Sequence, residues 1–266
     1  MKKKFRTIGL YSNSSNKKVT SIGQQVEEVL SSKGCKLLYN EAFKNIYKSK
    51  IIKTSSTNFL ASRADLIIAI GGDGTMLSCS REFGSKNVPI LGINLGSLGF
   101  LTDIAPDELT TKLSEVVAGK FEIDERFFLT TRIKGQNNKF IALNEVVIHS
   151  GAIAQLIEYD LYIDNIFVYR QKADGLIIAS PTGSTAYSLS GGGPIIHPSL
   201  DAIALLPMFP HSLNSSPLVV KAGSSIKVIL THKSTKAQLS FDSHNSIRLK
   251  GNQEINICKS KSVLKL

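Results

Sequence analysis

The chain has 266 residues, of which 42% are hydrophobic and 20% charged. That balance excludes a disordered or fibrous chain and allows one large or two modest domains with a core that needs no disulfides. The net charge of +11 reads first as an ordinary solvated surface and second as a field for a polyanionic substrate, and three scattered cysteines (Cys35, Cys79, Cys258) in no ligand spacing read as reduced thiols. No run approaches the about 20 apolar residues of a membrane span. The start, MKKKFRTIGL, has the charge of a signal peptide without its apolar stretch. A cytoplasmic protein with no membrane partner is the expectation. Basic residues come in short scattered pairs, without Trp and without aromatics interleaved with Arg, so no nucleic-acid partner is expected.

The first ~120 residues alternate strand-like and helix-like pieces. RTIGLYS reads as a strand, and TSIGQQVEEVLSSKG as a helix with a Ser or Thr cap and Gly34 past its end. KLLYN, ADLIIAI and VPILGINLG read as further strands. APDELTTKLSEVVAGK reads as a helix with apolar Leu109, Leu113, Val116 and Val117, closed by Gly119. This grammar predicts a Rossmann-like α/β domain with a parallel sheet, over residues 1–122.

From Phe121 onward the pieces are short and rich in β-branched and aromatic residues. They are FFLTTRI, KFIALNEVVIHS, IAQLIEYDLYID, NIFVYRQ, GLIIAS, SSIKVILTH, KAQLSFD and EINICKS. YIDNIFVY reads as a hairpin turning at Asp-Asn. An antiparallel β-sandwich-like domain over 123–266 is predicted, with the last ~15 residues as candidates to return to the first domain. One interruption, ASPTGSTAYSLSGGGPIIHPSLDAI, is rich in Gly, Pro and hydroxyl residues and reads as a binding loop.

The segment with most chemistry is ADLIIAIGGDGTML, residues 64–77. Leu66 to Ile70 form an unbroken apolar run, as in a parallel strand covered on both faces. Gly71, Gly72 and Gly74 permit a tight turn and close ligand approach, and Thr75 to Phe83 can follow as a helix. Strand, glycine turn and helix N-terminus make a phosphate site, with Gly71, Gly72, Gly74 and Thr75 as its loop. Asp73 is foreign to a plain phosphate cradle, because a carboxylate repels phosphate. It holds a metal, bonds a hydroxyl or removes a proton.

Three segments together resemble the NAD kinase family: GGDGTML at 71–77 with GINLGSLGFLTD at 92–103; LNEVVIH at 143–149; and DGLIIASPTGSTAYSLSGGGPIIHPSLDAI at 174–203 with PMFPHSL after it. The glycine-aspartate turn alone also occurs in lipid kinases and phosphofructokinases, whereas the long third segment is specific. The resemblance implies transfer of the γ-phosphate of ATP, or of polyphosphate, to the 2′-hydroxyl of the adenosine ribose of NAD. It implies a divalent cofactor, Mg²⁺ or Mn²⁺, and a homodimer or homotetramer with the active site in a cleft between the domains.

By the same resemblance Asp73 is the general base and Gly74 packs on the dinucleotide. Asn144 and Glu145 line the nucleotide site, and Asp174 contacts substrate. Thr185, Ala186, Tyr187, Ser188, Leu189 and Ser190 wrap the adenosine end. His244 stands where relatives carry Gln, Gln155 where they often carry His or Arg, and Lys172 where some carry Arg; all three are substrate-binding candidates. The five histidines and three cysteines form no metal-ligand spacing, so no protein metal ligands are expected. His149, His197 and His211 read as structural. A lipid kinase and a non-catalytic dinucleotide- or nucleic-acid-binding protein are the rivals.

Overall fold

The computed structural model describes residues 5–47, 53–96, 99–151, 155–212, 215–231 and 237–266. Ser97 and Leu98 of the second glycine-rich segment, Leu213 of PMFPHSL and His232 of SSIKVILTH lie outside the described residues. The chain divides into two compact units, Met1–Glu125 with Ser262–Leu266, and Arg126–Lys261.

The first unit contains β1 (Thr7–Tyr11), α1 (Lys17–Ser32), β2 (Lys36–Tyr39), α2 (Phe43–Ile46), α3 (Thr57–Arg63), β3 (Leu66–Ile70), α4 (Asp73–Phe83), β4 (Ile90–Ile93) and α5 (Leu109–Val117). The strands form one parallel sheet in the order β2-β1-β3-β4. All five residues of β3 are buried, which explains its lack of polar alternation. Val19, Ile22, Val26 and Leu30 of α1 recur at helical spacing and enter a core with Ile8, Leu10, Ile68 and Ile70.

The cap of α1 differs from the Ser or Thr expected. Asn16 Oδ1 accepts the Val19 N–H at 2.9 Å, so the helix starts earlier than its apolar stripe suggests. Its first turn carries only lysines ahead of Val19, which hid that start. The helix ends as expected: Gly34 takes φ +73°, and the Cys35 and Gly34 N–H groups reach Leu30 O and Ser31 O. The short helices α2 and α3 had no clear apolar stripe and were not foreseen. At the far end of the chain, Leu266 exchanges two backbone hydrogen bonds of 2.9 Å with Asp124.

The rest of the chain supplies β5 (Glu125–Ile133), β6 (Lys139–Ala142), β7 (Glu145–His149), β8 (Ile157–Ile163), β9 (Ile166–Ala173), β10 (Gly175–Ala179), α6 (Tyr187–Ser190), β11 (Ala202–Met208), β12 (Leu218–Lys221), β13 (Ile226–Leu230), β14 (Ala237–Phe241), β15 (Asn245–Leu249) and β16 (Glu254–Lys265). They form two six-stranded sheets, β12-β11-β10-β7-β14-β15 and β6-β5-β16-β13-β8-β9. Val146, Ile148, Leu176, Ile178, Leu205 and Leu239 of one sheet pack with Leu129, Ile157, Leu161, Val228 and Ile255 of the other in a single apolar core. Each such side chain contributes about 1.5–3 kcal/mol on burial. The Asp-Asn hairpin joins β8 to β9, with Asp164 and Asn165 both at positive φ as the tight turn requires.

KFIALNEVVIHS, expected as one strand, is two. β6 belongs to one sheet and β7 to the other, and Leu143–Asn144 is the crossover. The sheet containing β7 has a second apolar face. Val147, Ile177, Ala204 and Leu206 point away from the sandwich core and pack with Ile196 of the Gly/Pro/Ser-rich segment. That segment therefore lies over the outer face of this sheet.

Candidate active site

In the first unit, α4 begins two residues earlier than expected, at Asp73, with Gly72 as its cap. A negative side chain in the first turn suits the positive end of the helix dipole. The carboxylate is also held by a second segment. Its Oδ2 accepts the Phe100 N–H and its Oδ1 the Leu101 N–H, each at 3.1 Å. A Cβ on Gly99 would come within 2.2 Å of Asp73 Oδ1, so the close wrap of residues 99–101 around this acid depends on that glycine. The two glycine-rich strand ends thus meet at Asp73. Each carboxylate oxygen has two lone-pair directions, so one accepted N–H apiece leaves room for a further donor.

Thr75 is buried, and its hydroxyl donates to Asn13 Oδ1 at 2.7 Å. Gly72 and Gly74 are exposed, and a Cβ on either would meet nothing within 4 Å among the described residues. Neither lies at positive φ. The packing around them therefore does not demand glycine, and a group from outside can come up to the bare turn.

In the second unit the Asn-Glu pair sits at the sheet crossover, pinned by Asp242. The Asp242 carboxylate accepts the N–H groups of Leu143, Asn144 and Glu145 at 3.0, 2.8 and 3.2 Å. From the other side, Ser180 Oγ donates to Leu143 O and the Ser180 N–H to Asn144 O at 2.8 Å. Asn144 Oδ1, Glu145 Oε2 and Ser188 Oγ are buried with no hydrogen-bond partner among the described residues. Buried polar atoms of this kind are costly unless water or a ligand completes them. Burial, and secondarily the Asp242 charge, pushes the Glu145 carboxyl up to about 8, so it is largely protonated at neutral pH.

The long segment folds as a 3-10 turn over Thr182–Thr185 followed by α6. Ser184 Oγ donates to Pro181 O and accepts the Ile196 N–H, which ties the two ends of the loop together. Tyr187 and Leu189 are 41% and 42% exposed, Ser190 is exposed, Thr185 and Ala186 are half-buried and Ser188 is buried. Tyr187 opens onto a cavity of about 570 Å³ whose walls include Asp174, His244, His149, Ser150, Ser243, Val147 and Met208. The structure thus brings Asp174, Tyr187 and His244 to the walls of one cavity. Gln155 is exposed, and Lys172 lies 3.6 Å from Glu158 Oε1; neither is among these walls. His149 and Ser150 were not assigned to a site from sequence. The signal available was alternation: Val147 and His149 share a face of β7.

A model of the ATP-NAD kinase N-terminal domain matches residues 8–121, and one of the ATP-NAD kinase C-terminal domain matches 143–266. The chain belongs to the NAD kinase family. It is 40% identical over 266 residues to an NAD kinase of Ectopseudomonas mendocina, covering 98% of this chain and 90% of the relative. It is 39% identical over 269 residues to that of Photorhabdus laumondii, covering 100% and 92%. A yeast NADH kinase solved with NADH superposes with TM-score 0.89 at 26% identity, covering 99% of this chain and 83% of that one. An Archaeoglobus fulgidus NAD kinase solved with ATP gives 0.78 at 28% identity, covering 98% and 92%. Membership makes this chain a phosphotransferase and disposes of the lipid-kinase and non-catalytic alternatives. Among the described residues no three or more His, Cys, Asp or Glu side chains gather as a metal site.

Proposed function

We propose that this NAD kinase family member phosphorylates NAD at the 2′-hydroxyl of its adenosine ribose, with ATP as donor, to give NADP. The observation that carries the reading is Asp73, fixed at the mouth of a bare glycine turn by two backbone N–H groups. Asp73 takes the proton of the attacking hydroxyl as the new O2′–P bond forms. The bond from the γ-phosphorus to the bridging oxygen breaks, and ADP leaves with that electron pair. Such transfer depends mainly on positioning and charge stabilisation, with a base to orient the nucleophile. Gly71, Gly72, Gly74 and Thr75 form the turn that admits the phosphates. A divalent ion, Mg²⁺ or Mn²⁺, neutralises charge on them when bound.

In the second unit, Asp174, Tyr187 and His244 hold the dinucleotide from the cavity walls. Asn144, Glu145 and Ser188 have buried atoms that a ligand would satisfy. Thr185, Ala186, Leu189 and Ser190 flank the adenosine, and Gln155 and Lys172 act at the margin. We further read the protein as a cytoplasmic homodimer or homotetramer. No helix among the described residues is long and apolar enough to cross a membrane.

The test is NADP formation by purified protein from NAD, ATP and Mg²⁺, beside Asp73→Asn. The expected result is robust turnover that falls more than about 10²-fold in the folded variant. Equal turnover by both proteins would remove the base role. Absence of turnover with ATP or polyphosphate would overturn the activity.

A further inference from the structure

The roles proposed above leave His149 unused. It closes β7, in register with Gly175 of β10 and Gln238 of β14. Side chains alternate along a strand, so His149 shares the face of Val147 and turns away from the sandwich core that Val146 and Ile148 enter. It therefore stands in the wall of the 570 Å³ cavity, beside Asp174, Tyr187 and His244.

The ring is gripped from one side. Gly151, at φ +70°, turns the chain back so that its N–H donates to His149 Nδ1 at 3.1 Å. An imidazole nitrogen that accepts a hydrogen bond carries no proton, so this bond assigns the proton to Nε2. Nε2 finds no partner among the described residues. Burial also lowers the affinity of this ring for a second proton. A phosphate oxygen would be a poor match. It favours the imidazolium form, in which Nδ1–H would face the Gly151 N–H, donor against donor. With Val147, Met208 and the Tyr187 ring among the walls, the cavity suits a flat heterocycle instead.

The geometry points to His149 as a substrate-positioning residue whose Nε2–H donates to an uncharged acceptor on an aromatic end of the dinucleotide, either a ring nitrogen or a carboxamide oxygen. This rests on the NAD kinase reading above. It assigns His149 a recognition role, felt in substrate affinity rather than in the rate of phosphoryl transfer.

Two substitutions separate the two ring nitrogens. In His149→Asn the amide oxygen stands near the place of Nδ1, which keeps the Gly151 contact and loses the donor. In His149→Gln the amide nitrogen reaches the place of Nε2, which keeps the donor and loses that contact. The expectation is a KM for NAD raised at least about 10-fold in His149→Asn with kcat within about twofold, and a KM within about threefold of the parent in His149→Gln. Calorimetric titration with NAD, AMP and nicotinamide mononucleotide, which needs no turnover, then locates the acceptor. Weakening confined to AMP places it on adenine, and weakening confined to the mononucleotide places it on the carboxamide. A purely structural ring predicts the reverse order, with Gln worse than Asn and a lower melting temperature. That order, an unchanged affinity in both variants, or equal weakening toward both halves would overturn the proposal. A parent that binds NAD but forms no NADP would instead count against the kinase reading, while the NAD titrations still report on His149.

Discussion

Asp242 and Asn144 lie 98 residues apart in sequence, yet the Asp242 carboxylate accepts the Asn144 N–H at 2.8 Å and takes the flanking N–H groups of Leu143 and Glu145 as well. One buried side chain therefore fixes the crossover between the two sheets. Its own backbone occupies the left-handed region, at φ +48°, in the turn that presents Ser243 and His244 to the cavity. Asp242→Ala strands three buried donors, each costing about 1–3 kcal/mol when unsatisfied. We expect a loss of several kcal/mol by urea denaturation. Asp242→Asn should lose less, because the amide oxygen still accepts. Equal stability of the alanine variant would show that the clamp is not needed.

The Glu145 carboxyl gives stability a specific pH dependence. Its folded-state pKa is raised to about 8, from an ordinary value of 4.5, by burial and then by Asp242. Between these values the folded state holds a proton that the unfolded chain has released, so stability falls as pH rises through this window. Each pKa unit corresponds to about 1.4 kcal/mol. Glu145→Gln removes the titration while keeping the size. Its unfolding free energy relative to the parent should therefore rise from pH 5 to pH 9. A pH-independent difference between the two proteins would mean that Glu145 titrates normally.

How much was legible depended on whether the cause was local. The five-residue apolar run of β3 and the Asp164-Asn165 turn are local facts, and both appear where the sequence put them. The change from alternating helix and strand to antiparallel β was equally readable, since it rests on periodicity. The crossover at Leu143–Asn144 was not, because strand propensity runs unbroken through KFIALNEVVIHS and says nothing about which sheet a strand joins. The candidate site residues stand out in the sequence only as residue types. Their partners were hidden: the two N–H groups on Asp73 come from residues 100 and 101, and those on Asp242 from a strand end about a hundred residues earlier. His149 reads as structural from sequence, because a histidine at a strand end carries no signal until the cavity beside it is known.

Glycines of the first unit divide by what a Cβ would touch. At Gly72 and Gly74 it meets nothing within 4 Å among the described residues, whereas at Gly99 it strikes the Asp73 carboxylate at 2.2 Å. Gly74→Ala, inside the first turn of α4, should leave stability unchanged or raise it by up to about 1 kcal/mol. Its KM for ATP should rise, because the methyl occupies the approach to the turn. Gly99→Ala should lower the melting temperature and activity together. Wild-type KM in Gly74→Ala would deny the turn its phosphate role.

The grip of residues 99–101 on Asp73 also predicts a signature that needs no substrate. The Phe100 and Leu101 N–H groups both end on this carboxylate, and Phe100 is otherwise 72% exposed. Removing the acceptor leaves those donors to water and frees the loop to open locally. In Asp73→Ala, hydrogen exchange at Phe100 and Leu101 should quicken by about tenfold or more, the equivalent of a hydrogen bond of roughly 1.4 kcal/mol. Exchange along β3, buried throughout, should stay unchanged. Asp73→Asn keeps one accepting oxygen and should protect one amide better than the other. That asymmetry matters for the activity assay: if the asparagine variant retains the loop and still loses turnover, the loss belongs to the missing base and not to a disordered turn. Unaltered exchange at both amides in Asp73→Ala would mean that the loop is held elsewhere, and that Asp73 is free of it when substrate arrives.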